Sequence, residues 1–334
     1  MKTNKTNNLG VPGGGTLPTH DEDSQSSDKT VNLLDRWLAE KLLAFVGNPK
    51  LSMRLWDGVR LQPNPSEPVA TLSLRNRSTL FALLRSPSIG FGDAFSAGDL
   101  QVTGDLVEFL AEIYRGLIKV RSGRLQRSLK LWPTQTRTRG NSLARAKENI
   151  HHHYDLGNDF YRLWLDEKMV YTCAYFERPE MSLEQAQIAK LDHVCRKLGL
   201  QPGQRIVEAG CGWGSLALHM AQHYGVDVKA YNISHQQISY ARDQAERLGL
   251  SARVEFVEDD YRNIKGKWDG FVSVGMLEHV GIERYAQLGE VVQRSLKPTG
   301  RALIHTIGRS RPAANNAWIE KRIFPGSYPP SLAE

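Results

Sequence analysis

From about residue 143 onward, apolar stretches of helical period and of strand period follow one another with short loops between them, and this alternation limits the fold more than any other feature. A helical segment carrying Leu183, Ala186, Leu191, Val194 and Leu198 stops at Gly199, ahead of Pro202-Gly203, and a short strand follows over 205–209. A glycine turn leads into a helix near 215–224. Strands are expected at 226–231, 254–257, 271–274 and 302–306, with helices at 236–248 and 283–296. Strands joined through helices pair in parallel, so the expected fold class is α/β, an open parallel sheet with helices on both faces. Ligands of such sheets lie at the carboxyl ends of the strands, near the point where the strand order reverses.

The residues ahead of this region differ in composition. Residues 1–30 are polar, with Gly13-Gly14-Gly15 and a Ser/Asp-rich run, and hold too little apolar surface to offset ordering entropy, so a disordered tail is expected. Residues 31–140 read as a small α+β domain with a linker. Its opening helix carries Leu33, Leu34, Trp37, Leu38 and Leu42, alternating segments lie near 51–61 and 69–74, and a helix starts at Asp105. Pro63, Pro65, Pro68 and Pro87 punctuate it.

The formal net charge of +7 resides in this part of the chain: residues 31–147 hold eighteen basic residues against nine acidic ones. Within it, residues 113–147 carry ten basic residues and no Asp or Glu. Such a stretch suits an anionic partner, either nucleic acid or an anionic lipid surface, and a solvated linker is the bland alternative. Three unevenly spaced cysteines, Cys173, Cys195 and Cys211, form no C-x-x-C pair. They argue against a disulfide framework or a zinc site and for a reducing compartment, with the cytoplasm as default. No apolar run approaches the ~18 residues of a spanning helix, and the N-terminus has no signal-type apolar region.

The turn after the first strand of the alternating region reads Glu208-Ala209-Gly210-Cys211-Gly212-Trp213-Gly214. Glycines there let the backbone turn into a helix and approach a ligand closely. Leu216-Ala217 stand where a dinucleotide fingerprint would place its third glycine, and an ordinary tight turn is the bland reading. Asn232, Ile233 and Gln237 follow the second strand, where polar groups can reach ribose hydroxyls. Asp260 and Tyr261 follow the third, where a carboxylate can accept from an adenine amino group. His151-His152-His153 point about 100° apart on a helix and cannot together reach one ion, so no metal site is expected.

E-A-G-C-G-W-G, N-I-S-H-Q-Q, D-D-Y-R, V-G-M-L-E-H-V-G over 274–281 and I-H-T-I-G over 304–308 stand together with H-H-Y-D-L-G-N-D-F-Y over 152–161 and Y-T-C-A-Y-F over 171–176. This set resembles the cyclopropane-fatty-acyl-phospholipid synthase family over about 148–334, and more weakly through 90–100 in the small domain. The resemblance implies a Rossmann-like class I methyltransferase domain over 141–334 that uses S-adenosylmethionine. Cofactor contacts then fall to Tyr171, Thr172, Glu208, Gly210, Gly212, Gly214, Asn232, Ile233, Gln237, Asp260 and Tyr261, with Glu208 in place of the Asp more often found there.

The implied reaction adds a methylene to the cis double bond of unsaturated acyl chains of membrane phospholipids. An alkene is a poor nucleophile, and the cation it leaves must be shielded from water and then lose a proton, so the site needs a dry tunnel and a base. In the resembled family the base is a bound bicarbonate ion, whose positions map onto Cys173 and Ile307 through backbone groups and onto Glu278 and His305 through side chains. Taken singly, Glu278 is a helix-start carboxylate and His305 a core histidine. Tyr171, Tyr175 and Phe176 either turn ring faces to a cation or pack as core. His152 and Tyr154 are expected on a helix covering the site.

The implied partners are an anionic phospholipid surface and unsaturated acyl chains, with a homodimer left open and a location in the cytoplasm at the inner face of the membrane. Nucleic acid is disfavoured as a substrate, because Gly275-Met276-Leu277-Glu278 stands where a D/N-P-P-Y motif is expected. Family members continue past the position of Glu334 with a helical lid and the last two strands of the sheet, so reduced catalytic capacity is expected. The alternatives are an amine N-methyltransferase of the same fold and a catalytically impaired remnant that binds cofactor or lipid.

Overall fold

Separate hydrophobic cores organise two units, one within Met1–Lys130 and one within Leu131–Glu334, in a computed structural model that describes residues 30–122 and 157–334. The N-terminal tail, the basic stretch beyond residue 122 and the histidine triplet with Tyr154 lie outside the described residues.

In the first unit, α1 (Leu33–Phe45) starts at a capping box in which the Asn32 side chain accepts from the Asp35 N–H at 2.8 Å and Asp35 reciprocates. Strands β1 (Leu51–Arg54), β2 (Arg60–Leu61), β3 (Ala70–Leu74) and β4 (Leu100–Gly104) form a sheet of order β2-β1-β3-β4. The central pair is parallel and the outer pairs are antiparallel. Leu42, Met53, Leu72, Leu80, Leu100 and Phe109 fill its core. α4 (Leu106–Ser122) matches the helix expected from Asp105, whereas α2 (Arg77–Arg85), α3 (Pro87–Ala97) and β4 do not appear in the sequence reading. Asn76 starts α2 by accepting from the Thr79 N–H at 2.9 Å. Pro87 occupies the first turn of α3, where a missing N–H costs nothing, so this proline opens a helix.

The second unit runs α5 (Asn158–Arg162), α6 (Leu183–Leu198), β5 (Arg205–Ala209), α7 (Ser215–Tyr224), β6 (Asp227–Asn232), α8 (His235–Arg247), β7 (Val254–Glu258), β8 (Trp268–Val274), α9 (Leu277–Val280), α10 (Tyr285–Ser295) and β9 (Leu296–His305). All strand pairs are parallel, in the order β7-β6-β5-β8-β9. β9 begins earlier than the expected 302–306, across an irregularity opposite Trp268 and Gly270.

Alternate residues of β5 feed opposite faces. Ile206 packs with Leu191, Met220 and Ile238 from α6, α7 and α8, while Val207 packs with Phe271 and with Leu288 and Val291 from α10. The chain leaves β5 toward β6 on one side and returns to β8 on the other, so the strand order reverses between β5 and β8. Among the described residues, no helix is long and apolar enough to cross a membrane.

Candidate active site

The carboxyl ends of the strands converge at this reversal and bound three cavities. The first, about 110 Å³, lies over the end of β5 and is lined by Tyr171, Thr172, Lys190, Glu208, Gly210, Gly212, Asn232 and Gln237 among others. A second, about 70 Å³, shares Gly210, Asn232 and Met276 with it and extends to Ile233, Asp260 and Tyr261. The third, about 660 Å³, adjoins the first across Tyr171, Thr172 and Gly275, and its walls include Trp164, Leu165, Phe176, Leu183, Ile319 and Phe324. Cys173, Glu278, His305 and Ile307 all lie on this third cavity.

Local chemistry sets the positions of these groups. Asp166, buried, accepts from the Val170 N–H at 2.7 Å and bends the chain through Met169 at φ +57°, ahead of residues 170–172, which line both the first and the third cavity. Asn232 donates to the Gly212 carbonyl at 3.2 Å and to Gln237 Oε1 at 2.7 Å, which leaves it bracing the glycine turn. Trp213 donates to Asn158 Oδ1 at 2.8 Å and ties the turn to α5.

Two buried atoms in the first cavity have no partner among the described residues: Glu208 Oε2, an acceptor, and Gln237 Nε2, a donor. Burial pushes the Glu208 carboxyl up to about 8, against the pull of Lys190 and of the Ala217 N–H. A Cβ on Gly212 would enter open space. An unmet acceptor, an unmet donor and a cradle that a side chain would fill suit a ligand bearing an ammonium and hydroxyls.

Three site expectations differ in detail. Asp260 lines the second cavity, but Arg262 engages both its carboxylate oxygens at 2.7 Å, so an adenine amino group would share an acceptor already in use. Tyr175 lies away from the three cavities and stacks on His193 with ring centroids 4.8 Å apart, while Tyr171 and Phe176 face the third. Gly214 also lies off the cavities, and a Cβ there would stand 2.6 Å from Phe256 and 2.8 Å from Ala241, so this glycine serves the packing of α7 on the sheet. Gly214→Ala, at φ +88°, should therefore destabilise the unit by roughly 2–4 kcal/mol through strain and overpacking. A urea midpoint equal to that of the parent would show that Phe256 and Ala241 yield.

On the third cavity, Glu278 Oε1 accepts from the Ile307 N–H at 2.6 Å, and the Ile307 carbonyl accepts from Thr306 Oγ1 at 3.2 Å. Glu278 Oε2 and His305 Nδ1 are buried without a partner among the described residues. Burial holds the His305 imidazole below its ordinary value and the Lys190 charge acts the same way, so the ring is neutral near pH 7. Such a pair fits a small ion that gives one O–H and accepts at its other oxygens. Ile307 reaches such an ion only by sharing a hydrogen already given to Glu278.

Lys190 is a site residue absent from the sequence reading. It lies on the buried face of α6, donates to Thr172 Oγ1 at 2.6 Å, and is pushed down to about 8 by burial, with Glu208, Asp166 and Cys173 pulling the other way. A lysine in register with Ala186 and Val194 was the available signal.

The strand order and the ligand-type turn after the first strand of the sheet define the architecture of the class I, S-adenosylmethionine-dependent methyltransferases. The sequence profile of the mycolic acid cyclopropane synthetase family matches residues 141–334, and the chain belongs to that family. It is 44% identical over 183 residues to the cyclopropane-fatty-acyl-phospholipid synthase of Escherichia coli K12, covering 54% of this chain and 47% of the relative. The chain thus spans about half the length of that relative.

A probable fatty acid methyltransferase of Pseudomonas putida is 33% identical over 294 residues, covering 85% of this chain and 72% of its own length. Among solved structures, the cyclopropane synthase MmaA2 from Mycobacterium tuberculosis superimposes with a TM-score of 0.53 at 33% identity, over 56% of this chain and 70% of that one. Mycolic acid cyclopropane synthase CmaA1, complexed with SAH and CTAB, gives 0.53 at 34% identity over the same shares.

Proposed function

We propose that the chain transfers a one-carbon unit from S-adenosylmethionine to the cis double bond of unsaturated acyl chains carried on phospholipids. The observation that supports this most is that the small cavity holding the unpartnered Glu208 and Gln237 atoms adjoins, across Tyr171, Thr172 and Gly275, a large apolar cavity that carries the unpartnered Glu278 and His305 atoms. When bound, S-adenosylmethionine supplies an electrophilic methyl group on a sulfonium.

The residues that would hold it follow from the unmet groups. Glu208 would face the ammonium, Gln237 Nε2 would donate to a ribose hydroxyl, Gly210 and Gly212 would leave room, and Tyr171 lines the cavity beside Thr172. Ile233, Asp260 and Tyr261 would flank the adenine. An alkene offers no polar handle, so the largely apolar walls of the third cavity would orient it by shape, and a bound acyl chain would displace water from them. Ring closure requires a proton to leave the transferred carbon for an acceptor other than water. Glu278 Oε2 and His305 Nδ1, beside Cys173 and Ile307, would hold bicarbonate as that acceptor.

The basic surplus of residues 31–147, including Arg115 and Lys119 on α4, favours phospholipid over other acyl carriers and a peripheral position at an anionic membrane surface. Each basic residue close to such a surface contributes about 1 kcal/mol at low salt. The test incubates the chain with S-adenosylmethionine and vesicles of anionic, cis-unsaturated phospholipid. Mass spectrometry should find one methylene added per converted double bond, and sedimentation with the vesicles should weaken as salt rises. Methylation of amines with no lipid product would transfer the reading to the amine N-methyltransferases.

A further inference from the structure

Lys190 carries a charge where the period of α6 places apolar residues: it is 6% exposed and shares a face with Ala186, Leu191 and Val194. An ammonium taken out of water must find partners. Among the described residues it forms no ion pair, and its one hydrogen-bond partner is Thr172.

Thr172 is held on two other sides. A Cβ on Gly275 would stand 2.6 Å from its Cγ2, and its carbonyl accepts from Gln187 Nε2 at 2.9 Å. An ammonium can only donate, so Thr172 Oγ1 is the acceptor and its own O–H proton remains to be given elsewhere. Both residues line the first cavity, as does Glu208 with its unpartnered Oε2. That cavity therefore holds a carboxyl acceptor together with a cation and a cation-polarised hydroxyl donor, the complement of an α-amino-acid zwitterion.

We infer that Lys190 is a positioning residue that makes the first cavity select a ligand with a carboxylate at its amino-acid end, by fixing the Thr172 hydroxyl as a donor and supplying the positive charge the carboxylate faces. This rests on the reading of the cavity as the S-adenosylmethionine site.

The test measures binding of three ligands to the full chain and to Lys190→Met and Lys190→Arg by calorimetry: S-adenosylhomocysteine, its decarboxylated analogue, and 5′-methylthioadenosine, which lacks both amino-acid groups. Lys190→Met should weaken S-adenosylhomocysteine roughly 10- to 100-fold and the other two ligands by less than about 3-fold, with partial recovery in Lys190→Arg. A merely structural lysine would weaken all three alike, and that result, or an unchanged affinity for S-adenosylhomocysteine, overturns the inference. Should Lys190→Met fail to fold, Thr172→Val removes the hydroxyl at nearly constant shape and must show the same carboxylate-dependent loss. If the parent chain binds none of the three, the cofactor reading fails and this inference with it. If the parent binds all three without preferring the carboxylate, the cofactor reading stands and this inference alone is overturned.

Discussion

Glu278→Gln and His305→Ala should each lower turnover on unsaturated phospholipid by roughly 10²- to 10⁴-fold, the usual contribution of a positioned acid–base group, while leaving affinity for S-adenosylhomocysteine nearly unchanged. The separation follows from geometry. Both residues line the third cavity, and neither lines the first or second. The glutamine variant is the sharper probe. Its amide oxygen can still accept from the Ile307 N–H, which is bonded to Oε1 at 2.6 Å, so the end of β9 keeps its anchor. The amide nitrogen then presents donors where Oε2 offered an unused acceptor. Initial rates on vesicles, with and without added bicarbonate, decide the matter. Two active variants and a rate indifferent to bicarbonate would remove the ion, and both residues, from the chemistry.

What could be read from the residues alone depended on how local the determinants are. The turn from Gly210 to Gly214 and the polar residues just after β6 and β7 were legible, because a polar group at the carboxyl end of a parallel strand has few places to go but the cleft. Glu278 and His305 were legible only through the resemblance, since each alone is also an ordinary helix-start or core residue.

Other features depended on contacts made far along the chain. The placement of residues 170–172 against two cavities rests on Met169 at positive φ, held by Asp166, with no glycine to announce it. Lys190 is hidden in the sequence because the apolar stripe of α6 is complete without it. In the first unit, α3 contains Gly90 and Gly92 and begins with a proline, signals that argue locally for a loop; Pro87 at its start and Gly98 in the left-handed region at its end instead act as helix boundaries.

Gly212→Asn should keep the fold and lose cofactor affinity by ~100-fold or more, which is about 2.7 kcal/mol. Gly212 sits at φ +53°, in the region that Asn tolerates best after glycine, and a Cβ there meets nothing within 4 Å. The new side chain therefore costs little within the protein and, because Gly212 lines the first cavity of only about 110 Å³, is expected to take room that a ligand needs there. Gly214, two residues on, also has a positive φ but lies against Phe256 and Ala241, so Gly214→Ala spends its effect on stability. Because both positions ask for a left-handed backbone, the contrast between the variants cannot come from φ; it reports what each missing side chain leaves room for. Calorimetry with S-adenosylhomocysteine and thermal melting on the same samples separate the two. Gly212→Asn should melt near the parent and bind weakly, and Gly214→Ala should melt early and bind normally below its transition. A Gly212→Asn protein that binds as the parent does would place the cofactor outside the first cavity, whatever the family resemblance implies.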